Sequence, residues 1–172
     1  MSRPFDKNGA LLRRRMIHLE GELDDEVATV VVAQLLYLES VDAEKEIELH
    51  INSLGGSVIS MLAIRDTIRG VQPLVSTICR GQAVGAAAIL LASGARGRRV
   101  ASAHSRVCLM PLVGEATTPE QVKELQRLTE QNVQLLVSAT GQTRAQVVAD
   151  LDRGRAFTAE EALAYGLVDL VA

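Results

Sequence analysis

The chain has 172 residues, 48% hydrophobic and 23% charged, with a formal net charge of −3, which suits one globular domain able to bury roughly 70% of its unfolded surface. A negative balance gives no electrostatic case for nucleic acid, and two Phe, two Tyr and no Trp leave little on which bases could stack. The longest apolar stretch, residues 83–92, falls well short of the roughly 20 residues of a membrane span, and no basic, apolar leader opens the chain; a cytoplasmic protein is expected, with no nucleic-acid or membrane partner.

Residues 1–10, MSRPFDKNGA, are polar and broken by glycine, which predicts a loose terminal segment or one ordered by a partner. LLRRRMIHLEG ends in a strand-like run. Asp24 or Asp25 is placed to cap a helix whose Val27, Val30, Val31, Leu35 and Leu38 fall on one face. IELHIN alternates Ile47, Leu49 and Ile51, the period of a strand. SLGGS reads as a turn, and SVISMLAIRDTIRG as an amphipathic helix stopped by Gly70. PLVSTICRG is a buried strand. GQAVGAAAILLASG, residues 81–94, is a glycine-gated run of small side chains, the pattern of a sharp turn feeding a buried helix.

RRVASAHSRVCLMP gives two short extended pieces. A long helix is predicted over residues 119–139, with Thr118 as cap and Pro119 in its first position. Thr143 starts another helix. Thr158 to Glu161, TAEE, form a capping box before a short helix closed by Gly166, and LVDLV is a final strand. Strand and helix alternate throughout, which argues for α/β layers of right-handed βαβ units in one domain, residues 1–172.

Cys79 and Cys108 are isolated, and His18, His50 and His104 are scattered, so neither a metal site nor a cofactor is expected. The cysteines read as small buried hydrophobes. The basic runs at 13–15 and 96–99 are the only candidates for phosphate contact, and read first as solvated or inter-subunit charges.

Five separated motifs, LLRRRMIHLEGELDDEVATVVVAQLLYLES, INSLGGSV, STICRGQA, SRV and FTAEEALAYGLVD, run in order from about Leu11 to the C-terminus. Together they resemble the proteolytic subunit of the Clp protease. The resemblance implies a crotonase-like (ClpP-like) spiral of βαβ units, with a handle helix in the region 115–139. It also implies seven-membered rings stacked around a proteolytic chamber, fed by an ATP-driven unfoldase, and serine acyl transfer by a Ser, a His and an Asp.

Carried over position by position, the family's INSPGGSV matches INSLGGSV, with Leu54 in place of proline. Gly56 would supply one oxyanion-hole N–H and Ala86 the other. The family's serine follows GQAA, and here Gly85 follows GQAV. Its histidine stands five residues after the serine of SRV, which from Ser105 is Met110. Its aspartate precedes RxFTA, which places Gly154 there. All three triad positions are empty.

A serine mechanism needs an alcohol to attack, a base to take its proton and an acid to orient that base. Losing a whole triad costs on the order of 10⁶ in turnover. Ser93 lies eight residues along the helix from Gly85, about 12 Å away at the helical rise. His104 lies six residues from Met110; Ser57 sits where a hydroxyl caps the coming helix; Cys108 and Asp152 have no evident base to work with. The resemblance therefore implies a non-catalytic subunit, structural or regulatory, in a ring that can include active paralogues. The alternative is an ATP-dependent serine-type peptidase or hydrolase subunit with a displaced nucleophile. A crotonase-type acyl-CoA binder using Gly56 and Ala86 is a third reading, though nothing in the sequence marks an adenine-nucleotide pocket.

Two departures from the family narrow the role. The segment 1–10 is shorter than the family's axial loops, which makes docking of a Clp-type unfoldase doubtful. Between Met110 and the turn at residues 140–142 the chain is a few residues short of the family's glycine-rich handle strand, which pairs with substrate and with the opposite ring. Ring stacking is accordingly expected to be weaker than lateral association.

Overall fold

The computed structural model describes residues 7–114 and 116–172. Of the expected loose segment 1–10, residues 1–6 lie outside the described residues. Lys7–Leu12 form a one-and-a-half-turn helix, α1, that the polar, glycine-containing sequence does not announce.

A parallel sheet follows. β1 (Met16–Leu23), β2 (Ile47–Gly56) and β3 (Val75–Val84) are joined by α2 (Asp25–Val41) and α3 (Val58–Gly70). β3 then feeds α4 (Ala86–Ala92), β4 (Arg99–Ala101) and β5 (Arg106–Cys108). Beyond them come the long α5 (Pro119–Thr140), α6 (Arg144–Asp152), β6 (Ala156–Phe157), α7 (Ala159–Tyr165) and β7 (Leu170–Val171). This is the expected mixed α/β architecture; among the described residues the sheet has seven strands, five in the order β1-β2-β3-β4-β7 and two, β5 and β6, branching from β3.

The sheet forks at β3. Thr77, Ile78 and Cys79 pair with β4, whereas Gln82, Ala83 and Val84 pair with β5. β6 closes against β5 in the antiparallel sense. One ten-residue strand thus serves two short partners, and the fork delivers the end of β5 beside the end of β3.

Most sequence cues for helix ends hold locally, but Gly70 stays within α3, whose cap is Val71. Asp24 caps α2, its carboxylate accepting from Val27 N–H at 2.8 Å. Thr118 and Thr158 each complete a capping box, with Gln121 and Glu161 respectively. Gly141 and Gly166 end α5 and α7 in the left-handed conformation that a side chain would disfavour.

Three readings are corrected. SLGGS is not a free turn: β2 continues through it to Gly56, and its irregular pattern marks a register shift against β3 between Ile51 and Ser53. Likewise β3 runs past Gly81 to Val84. On α2 the buried stripe is Ala28, Val31, Leu35 and Leu38, while Val30 is 52% exposed. The helix is rotated so that the small Ala28 meets the neighbouring elements, and Val30 is turned outward.

The core lies between the sheet, with Leu19, Leu49 and Ile51, and the helices, with Leu35, Met61 and Leu91. Arg15 ties its edge. Its backbone holds a φ of +61° and the residue is only 8% exposed. It donates to the carbonyls of Leu38, Asp42, Lys45 and Glu46 at 2.9, 2.9, 2.7 and 3.0 Å. The last turn of a helix leaves carbonyls unpaired, and this one side chain closes the end of α2 while pinning it to the start of β2. Among the described residues no helix is long and apolar enough to cross a membrane.

Candidate functional site

Open parallel sheets bind ligands beyond the carboxyl ends of their strands, and here those ends are glycine-rich. At the end of β2, Gly55 donates to Ser53 Oγ at 3.0 Å, and Ser53 Oγ donates to the Gly21 carbonyl at 2.5 Å. A Cβ on Gly55 would stand 2.5 Å from the Val84 carbonyl oxygen and 3.4 Å from Ala86 N. A Cβ on Gly56 would collide with the Leu23 carbonyl. The Gly55–Gly56 segment therefore packs backbone to backbone against the turn from β3 into α4. That turn brings in Ala86, the first residue of α4, whose N–H has no acceptor within its own helix.

Gly85 forms the corner. It adopts φ 55° and ψ −118°, a conformation strained for any side chain, and donates to the Cys108 carbonyl at 2.9 Å. That bond continues the β3–β5 pairing by one step and sets Met110 beside the corner. A Cβ on Gly85 would lie 3.7 Å from Met110 Cβ.

From the other side, the turn after α6 brings Gly154, with φ 64°, against the same methionine. A Cβ on Gly154 would lie 3.2 Å from Met110 Sδ. The turn is fixed by Leu109 N–H donating to the Arg155 carbonyl at 2.9 Å and Gly154 N–H to Leu151 at 3.0 Å. Three positions far apart in sequence thus converge, and Met110, 43% exposed, bridges the two glycines.

The Clp protease family model matches residues 2–172. This chain belongs to the Clp protease family. It is 46% identical over 172 residues to the ATP-dependent Clp protease proteolytic subunit 4 of Rhodococcus jostii, covering 97% of this chain and 89% of that protein. It is 47% identical over 175 residues to the ATP-dependent Clp protease proteolytic subunit 2 of Streptomyces avermitilis, covering 98% and 88%.

In this Clp protease chain the serine hydroxyls and the cysteine thiols near the corner are committed elsewhere. Ser57 caps α3, its oxygen accepting from Ser60 N–H at 3.1 Å. Ser93 donates back to the Ile89 carbonyl at 2.7 Å in the last turn of α4. The Cys108 thiol points at the carbonyls of Leu109 and Gly154, 3.8 and 3.7 Å away, and burial pushes its pKa up. Burial does the same to Cys79. Both are therefore protonated and poorly nucleophilic at neutral pH. His104 is exposed, and Asp152, also exposed, shares the lining of a small cavity with Met110 but has no base beside it to orient.

Several residues at the site escaped the sequence reading. Asp150 is fully buried and binds Gln146 at 2.8 Å, Arg155 at 3.2 Å and the guanidinium of Arg153. Burial raises its pKa, but the Gln146 hydrogen bond and the charges of Arg155 and Arg153 outweigh that and hold it below the ordinary value. It braces both residues flanking Gly154 and is not free to orient a base. The only cue was its place three residues before Arg153, the spacing of a helix pair.

A cavity of about 150 Å³ also adjoins Met110, walled by Leu112, Val133 and Leu151. The buried Asn132 lines it, and its Oδ1 has no hydrogen-bond partner. A larger cavity, about 510 Å³, lies away from this corner against Arg13, Tyr37 and Val41. Among the described residues no cluster of His, Cys, Asp or Glu is placed to hold a metal ion.

Proposed function

We propose that this chain is a catalytically silent subunit of a Clp-type proteolytic assembly, built into a ring as a structural or regulatory member. The observation that carries the reading is the convergence of Gly85, Met110 and Gly154 on one corner without a hydroxyl, a base or an acid among them. By resemblance these are the positions of the family's Ser, His and Asp. Glycine offers no oxygen to attack. A thioether takes up no proton near neutral pH. A second glycine leaves nothing to orient a base.

What remains is backbone. By resemblance the N–H groups of Gly56 and Ala86 would be the oxyanion-hole pair, a reading supported by the close contacts at Gly55 and Gly56 that leave no room for larger residues. An oxyanion hole alone leaves only a small residue of the catalytic effect. The corner on this reading is scaffold: it holds α4 in the core and sets the surfaces that meet neighbouring subunits. Those neighbours are further copies, in a ring of seven by family resemblance, or active Clp-protease paralogues. The setting is the cytoplasm, and an ATP-driven unfoldase would meet the ring through its active members.

Isolation of the native complex from its own cell tests this. The expected result is this chain in one assembly with a Clp subunit that carries a serine at the corner. Recovery of this chain only as a homomeric, peptide-cleaving particle would count against it.

A further inference from the structure

At the opposite end of α4 from the glycine corner, a cleft of about 100 Å³ opens where α3, α4 and α5 all end. Arg65 and Arg69 of α3, Ser93, Arg96, Arg99 and Ser138 line it. Four arginines line this small space in a chain whose net charge is −3.

Their charges are unequally matched. Arg99 is paired with the Asp169 carboxylate through two bonds of 2.6 and 2.9 Å, and also donates to the Ala92 and Ala139 carbonyls. Arg65 is paired with Asp66 at 2.8 Å. Arg96 donates to the Ser138 carbonyl at 2.7 Å, without a carboxylate partner. Arg69 is exposed, and among the described residues it makes no hydrogen bond or ion pair. The ends of the three helices contribute only partial negative charge. Two full positive charges, on Arg69 and Arg96, therefore face one cleft unneutralised by any carboxylate.

We propose that this cleft binds a phosphate-class oxyanion, either inorganic phosphate or the phosphoryl group of a larger ligand. A dianion matches the two unpaired charges, and guanidinium forks from two separate segments, α3 and the run at 96–99, suit a tetrahedral group better than a planar carboxylate. Arg96 and Arg99 are already held by backbone carbonyls, so little side-chain freedom is lost on binding. The basic run at 96–99 contributes two of the four arginines. Its other arginine, Arg98, is outside the lining and lies 3.4 Å from Glu46.

The test titrates inorganic phosphate, pyrophosphate and ATP into the full chain at constant ionic strength, by calorimetry and thermal shift, with chloride and acetate as controls. The expected result is saturable phosphate binding that acetate does not reproduce. Arg69→Gln and Arg96→Gln should each weaken it about tenfold, the scale of a charge-assisted hydrogen bond, while Arg98→Gln leaves it unchanged. Both exposed arginines can be replaced without disturbing the core, and circular dichroism checks that the variants are folded. Pyrophosphate or ATP binding more tightly than phosphate assigns the site to a phosphorylated ligand; equal affinities assign it to free phosphate. No saturable binding, or equal loss in all three variants, overturns the proposal.

Discussion

Met110 Sδ lies 3.2 Å from the point where a Cβ would stand on Gly154, and Met110 Cβ lies 3.7 Å from the corresponding point on Gly85. One side chain therefore spans the distance over which a base would have to relay between a nucleophile and its orienting acid. Gly85→Ser alone is expected to give no labelling by a fluorophosphonate, because the new hydroxyl meets a methionine. Labelling should appear only when Met110→His and Gly154→Asp are added. The triple variant should also be less stable, by roughly 1–3 kcal/mol for each side chain placed at positive φ, with position 154 tolerated better because aspartate adopts left-handed backbone more readily than most residues. Labelling of the single serine variant would show that another base reaches the corner.

Arg15→Ala should destabilise the fold by about 2–4 kcal/mol in urea denaturation, since it removes the side-chain donor from four carbonyls at the joint of α2 and β2, of which Leu38 alone keeps a helix partner, the Asp42 N–H. Arg15→Lys should recover little, because an ammonium cannot reproduce a planar fork that reaches four acceptors. A loss under 1 kcal/mol would mean that water replaces the arginine at no cost.

Acid should weaken the fold through His50. This buried imidazole stacks on His18 with ring centroids 5.0 Å apart. Arg80 Nε donates to its Nδ1 at 2.7 Å, and its Nε2 then donates to Glu48 at 2.8 Å, so it is held neutral. Burial, with the charges of Arg80 and His18, lowers its pKa from 6.5 against the pull of Glu48. The unfolded chain therefore takes up a proton that the folded chain refuses. Stability should be full above about pH 6.5 and decline as the pH falls below it. Melting curves from pH 8 to pH 5 should show this slope, and His50→Gln, which can still accept and donate, should flatten it. An unchanged slope in the variant would assign the effect to other groups.

Lateral association should outlast ring stacking. Leu36 and Ile59 are more than half exposed on α2 and α3, in the lining of an apolar groove with Val32 and Ala63. Between Cys108 and Pro119 the described residues form no strand, so nothing there offers a ladder of backbone bonds, each about 1 kcal/mol net. Mass photometry and sedimentation over a dilution series should find a single ring, or a double ring that separates first on dilution or added salt. A stable monomer at micromolar concentration, or a double ring intact at nanomolar, would contradict this.

Most of the architecture was legible where one residue type has one use. The caps at Thr118, Thr143 and Thr158, the stop at Gly166 and the alternation in IELHIN each reflect a local rule that tertiary packing did not override. What was not legible depends on partners distant in sequence. Nothing in RRR shows that the third arginine is buried under four carbonyls while its neighbours face outward. The stack of His18 on His50 follows only from their pairing in the β1–β2 register. At the corner, the motifs singled out Gly85, Met110 and Gly154 one by one. That a single methionine touches both glycine positions comes from the fork of β3, which no periodicity encodes.

The most direct test of the silent corner is the purified wild-type chain exposed to short fluorogenic peptides and to a fluorophosphonate probe. The expected result is no hydrolysis above the uncatalysed rate and no covalent adduct by intact mass, with or without added ring partners. An adduct on the wild-type chain that disappears in Ser57→Ala or Ser93→Ala, together with peptide cleavage lost in the same variant, would contradict it.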